Sequence, residues 1–174
     1  MSIYTVLLIR FLHIVAGVCW AGGAIVYFFF VEPTAKALAP AGMQFVQHMV
    51  TKRRYSIFMA VSSTFTVLTG AVLLWPYATG NFAAWLKTGS GLAFTLGSAL
   101  GIVVYFVGML GVKPRAEKLA NIGQEIQLAG AGPTPAQGAQ LMKLDKEMAA
   151  LGLADFILVA LSLTLMASAR YLVI

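Results

Sequence analysis

Four runs of apolar residues, each long enough to cross a bilayer, constrain this chain more than any other feature. They cover about residues 4–31, 55–78, 89–112 and 149–173. Each exceeds the roughly 20 residues that an α-helix needs to traverse the hydrocarbon core. Hydrocarbon offers no partner to a backbone N–H or C=O, so such segments span as helices, which satisfy those groups internally. Only 10% of the residues are charged, against about 25% in soluble domains. The expected fold is therefore all-α and integral to the membrane: an antiparallel four-transmembrane-helix bundle forming one domain over residues 1–174. The first run reads as a retained span and not as a cleaved signal peptide, since it is too long and holds Arg10 within its apolar stretch.

The basic residues between spans set the orientation. Lys36, Lys52, Arg53 and Arg54 lie between spans one and two, and Lys113, Arg115, Lys118, Lys143 and Lys146 between spans three and four. Lys87 stands alone between spans two and three. Basic residues favour the cytoplasmic side, so both termini and the second connection are expected outside, as in a multi-pass protein of a bacterial-type inner (plasma) membrane. Trp75, Tyr77 and Trp85 would then form an outer aromatic belt. The net charge of +6 arises from these topology signals, which argues against a nucleic-acid partner and leaves the lipid bilayer as the expected one.

The connection over about 113–148 is patterned. RAEKLANIGQEIQL has helical spacing, AGAGPTP reads as a turn, and Thr134-Pro135 offers an N-cap followed by a first-turn proline. Spans three and four are expected to extend through it as a cytoplasmic helical hairpin. Spans one and three are expected to end at Glu32-Pro33 and at Lys113-Pro114-Arg115. Small residues mark close helix approach: Gly17, Ala21 and Ala24 in span one, and the Gly97–Gly101 pair in span three.

The polar residues inside the spans carry what the sequence says about function. Arg10, His13 and Arg170 fall in the outer half of the bundle, while all six carboxylates lie at or beyond the cytoplasmic side. Arg10, His13, Gly17, Trp20, Ala21 and Ala24 share one helical face. Histidine is the usual haem ligand and arginine the best carboxylate partner, so haem iron on His13 with propionates toward Arg10 and Arg170 fits that depth. Met166 returns to the same level as a second ligand. The plain alternative is that His13 bonds a hydroxyl or backbone group of a neighbouring span, with Thr66, Thr69, Thr95 and Ser98 available. Copper is a further option, with His13 and Met166 as the metal ligands and Cys19, Met59 and Met109 at other depths. Asp155 is expected to pair with Lys113, Arg53 or Arg54, and His48 to be solvated on an amphipathic helix.

LHIVAGVCWAGGAIVYFFFVEP in span one and RRYSIFMAVSSTFTVLTG in span two resemble the copper-resistance D (CopD) membrane family. The four-span layout is also similar to the HemJ-type haem-associated membrane proteins. The resemblance implies that His13 and Trp20 match the shared histidine and tryptophan of those families. Three functions stay open on the sequence. The first is a haem b protein linked to electron transfer with a redox partner, and the second a CopD-like copper transport or resistance protein. The third is a cofactor-free accessory subunit of a larger membrane complex. No motif assigns a catalytic residue.

Overall fold

The computed structural model describes residues 1–172, so the expected end of span four at Val173 lies outside the described residues. These are helical without a strand. In chain order they form α1 (Ile3–Val26), α2 (Glu32–Ala37), α3 (Ala41–Thr51), α4 (Tyr55–Ala78), α5 (Phe82–Leu86), α6 (Gly89–Phe106), α7 (Lys113–Ala129) and α8 (Pro135–Ser168). Widened π-helical turns at Tyr27–Val31 and Val107–Val112 join α1 to α2 and α6 to α7. Four continuous helical stretches result, Ile3–Ala37, Tyr55–Ala78, Gly89–Ala129 and Pro135–Tyr171, each long and apolar enough to cross a membrane. The chain is a multi-pass membrane protein.

Its surface agrees with a lipid solvent. Only 6% of the most apolar window of α4 is buried. Phe11, Phe65, Leu68 and Leu110 stand exposed, which in water would cost about 1.5–3 kcal/mol apiece relative to burial. Against acyl chains that cost disappears.

The chain divides into two compact units. The first comprises Met1–Gly22, Val61–Phe106 and Ile157–Ile174. Its apolar centre is Ala21, Val104 and Val159, with Trp20 and Leu158 packed against them. Gly97 lets α8 come close: a Cβ there would lie 3.3 Å from both Leu165 Cβ and Met166 Cγ. Ser162 Oγ uses that proximity to donate to the Gly97 carbonyl at 2.8 Å, and Gly101 faces the same hydroxyl. The expected small-residue pair thus marks a helix crossing. On the α4–α6 connection, Asn81 caps α5 by accepting from the Ala84 N–H at 3.1 Å. There Tyr77 stacks on Trp85 with centroids 4.7 Å apart.

The second unit comprises Gly23–Ala60 and Val107–Phe156. Here the structure departs from the reading of span one as ending at Glu32-Pro33, because its helix runs on to Ala37; the helix of span three also continues past Pro114, to Ala129. A proline ring inside a helix strikes the carbonyl four residues back. The turn before Pro33 widens instead, with the Glu32 N–H bonding the Tyr27 carbonyl five residues back. The same widening precedes Pro114. α7 stops at Gly130, whose φ of +62° is the left-handed conformation that glycine adopts without strain. Thr134 then caps α8, its Oγ1 accepting from the Gln137 N–H at 3.2 Å. In return, Gln137 Oε1 accepts from the Thr134 N–H at 3.0 Å. Arg115 on α7 donates to Glu147 on α8 at 2.6 Å. Phe156 stacks on Phe28 at 5.6 Å and meets Phe29 edge-on at 4.9 Å. His48 is exposed on α3.

Candidate functional site

The sequence-selected site falls in the first unit, where α1 and α4 meet. His13 sits half-buried on α1. Its Nδ1 lies 2.9 Å from the Thr66 carbonyl oxygen and 3.3 Å from Thr69 Oγ1. A carbonyl has no proton to give, so Nδ1 donates, and the neutral ring keeps its lone pair on Nε2. Thr69 Oγ1 directs its own proton to the Phe65 and Thr66 carbonyls, at 2.5 and 3.2 Å, and so receives only a share of the Nδ1 proton. Nε2 makes no hydrogen bond among the described residues.

Two glycines create this seat. A Cβ at Gly70 would stand 2.9 Å from His13 Cε1 and 3.3 Å from Nδ1. Only a residue without a side chain leaves room for the imidazole on that turn of α4. One turn further along α1, Gly17 faces the Thr66 methyl, and an added Cβ there would find it at an ordinary 3.7 Å. The helices therefore touch through glycine on each side, which brings the ring within reach of a backbone carbonyl.

The other sequence-selected residues take separate places. Arg10 lies one turn toward the N-terminus of α1 from His13. It is exposed, with no ion pair or hydrogen bond among the described residues. Arg170 is exposed too, its guanidinium bonded to the Tyr171 hydroxyl and lying 4.6 Å from that ring's centroid. Trp20 belongs to the apolar centre with Ala21 and Val159. Met166 is half-buried, with its methyl over Gly97. No hydrogen bond among the described residues joins these side chains to one another or to His13.

Of the four partners that the sequence offered His13, Thr66 and Thr69 take the role. Thr95 instead donates to the Gly91 carbonyl at 2.8 Å. Gly70 is a site residue beyond those selected from the sequence, and its one signal there is the Thr69-Gly70 pair that closes RRYSIFMAVSSTFTVLTG. Asp155, in the second unit, makes no ion pair among the described residues. It lies near Gly108, and Lys113 pairs with Glu117 at 3.5 Å instead. No group of three His, Cys, Asp or Glu residues is poised to hold a metal ion among the described residues.

No family model, curated protein or solved structure matches this chain.

Proposed function

We propose that this chain is an integral membrane protein that binds haem b at an outward-facing intramembrane site, with His13 as an axial ligand and a role in electron transfer. The orientation of the imidazole carries the reading. The Thr66 carbonyl accepts from Nδ1, and Nε2 keeps a lone pair with no hydrogen-bond partner among the described residues. Metal-bound histidines are generally held this way, the far nitrogen donating to a carbonyl or carboxylate that sets tautomer and ring direction.

Haem suits a lone histidine, because the porphyrin brings its own four nitrogens and asks the protein only for axial ligands. Arg10 and Arg170, both exposed and without carboxylate partners among the described residues, are suited to the propionates. Met166 is the second ligand in this reading, and Trp20 anchors α1 in the apolar centre. Bound haem would supply a one-electron couple. This chain's own contribution is to hold one ring nitrogen protonated and the other bare. Copper at His13 and Met166 is the second reading, supported by the CopD resemblance, although copper draws more of its ligands from the protein.

The same proposal takes the four spans as an antiparallel bundle in a bacterial-type inner membrane, with both termini extracytoplasmic. α7 and the first part of α8 form its cytoplasmic hairpin. The basic residues support this orientation, nine of them in the first and third connections against Lys87 in the second.

An absorption spectrum of the detergent-extracted protein tests the function. A Soret band that persists in His48→Ala and disappears in His13→Ala is expected. No Soret band after haem reconstitution would overturn the proposal. Stoichiometric copper lost on His13→Ala would then support the second reading. A stable larger complex with neither chromophore nor metal would mark an accessory subunit.

A further inference from the structure

The second unit contains a cavity that neither the sequence nor the His13 site accounts for. It measures about 490 Å³ and is walled by α2, α3, α7 and α8. That is the size of a small-molecule site, which is typically an apolar chamber with a few polar groups that fix orientation. Most of this wall is apolar, including Val46, Leu119, Ile126 and Leu141, and Met43 and Met148 add side chains that adapt to a guest's shape.

The charged groups on the wall are Glu32, Lys36 and Asp145. Lys36 Nζ bridges the two carboxylates, 2.8 Å from Glu32 and 2.9 Å from Asp145. One ammonium between two carboxylates leaves a unit of negative charge on the wall. Glu32 is the more enclosed, its side chain 18% exposed against 53% for Asp145. Tyr27 lines the chamber beside them, adding an aromatic ring, and aromatic faces attract organic cations. Gln44, Gln47 and Gln127 supply neutral hydrogen-bonding groups.

We propose that this cavity is a binding site for an organic monocation with a bulky apolar body, its charge answered by Glu32 and Asp145 and its body by the apolar wall. The inference is independent of haem at His13.

Tetraphenylphosphonium and tetraphenylborate have the same shape and opposite charge, so together they separate charge recognition from apolar partitioning. Both, with ethidium as a flat cation, are measured by equilibrium dialysis against the full-length protein in zwitterionic-lipid nanodiscs, with empty discs subtracted. Saturable, protein-dependent binding of at least one cation is expected, about tenfold or more tighter than any borate binding. Asp145→Asn should weaken the cation about fivefold, and Lys36→Gln should strengthen it by a similar factor. A residue of purely structural role would not produce these opposite signs. Ala120→Trp, on the cavity wall, should abolish binding by filling the chamber. Absence of saturable binding by both cations would overturn the proposal, as would equal binding of the borate, or weakening by Lys36→Gln in a protein of unchanged helicity.

Discussion

Gly70→Ala probes the histidine seat most directly. The new methyl would stand 2.9 Å from His13 Cε1, where ordinary contact begins at 3.4 Å. The ring, or α4 itself, must yield by the difference, about 0.5 Å. The Nδ1–Thr66 bond is 2.9 Å long, and a retreat of that size takes it to the edge of hydrogen-bonding distance. An interhelical hydrogen bond in a membrane contributes about 0.6 kcal/mol. Forcing the side chain off its rotamer costs about 0.5–1.5 kcal/mol more.

Gly17→Ala is the matched control on the same interface, because its Cβ meets the Thr66 methyl at an ordinary 3.7 Å. Both substitutions gain the same helix propensity, about 0.5–1 kcal/mol, so the difference between them isolates the clash. Gly70→Ala should be about 1–2 kcal/mol less stable than Gly17→Ala, the sum of the bond and rotamer costs. The assay is reversible denaturant unfolding in mixed micelles followed by circular dichroism. Equal stability of the two variants would refute the seat as described.

Other contacts give further tests. Ser162→Ala removes the bond to the Gly97 carbonyl and should cost about 0.6 kcal/mol in the same unfolding assay. Thr134→Ala removes the cap of α8 and should cost about 1 kcal/mol locally, seen as faster amide exchange over its first turn. Glu147 precedes the apolar part of α8, and the Arg115 guanidinium bonded to it holds its carboxyl below the usual carboxylate range. A lowered folded-state value means the stabilisation is complete above the ordinary 4.5 and is lost as pH falls through the lowered value. Arg115→Met should flatten that acid-side loss, measured by amide exchange along α7.

Much of the fold was legible because hydrocarbon leaves a long apolar run one solution. The boundary between α7 and α8 was legible too, since Thr134-Pro135 is a start signal whose chemistry is local. The continuation through Pro33 was not: a proline announces the clash, and the neighbouring turns decide whether the helix ends or widens. At the candidate site the sequence supplied the histidine and four possible partners. Choosing among them required knowing that Gly70 leaves a notch opposite His13, a fact of helix pairing that no single segment carries. Lys36 shows the same limit. Its pairing with Glu32 one turn away follows from helical spacing, whereas its bond to Asp145 needs the folded chain.

The widened turns before Pro33 and Pro114 also change what one helix can present along its length. Each lodges about one surplus residue in a turn, which sets every later side chain back by about 100° around the axis relative to an unbroken α-helix of the same sequence. The residues that form a helical stripe therefore shift by one position in the sequence beyond each widened turn. Removing the surplus residue from either widened turn would restore ordinary α-helical spacing and leave the distal face where it stands. Removing a residue from the α-helical part beyond would instead turn every later side chain by about 100°.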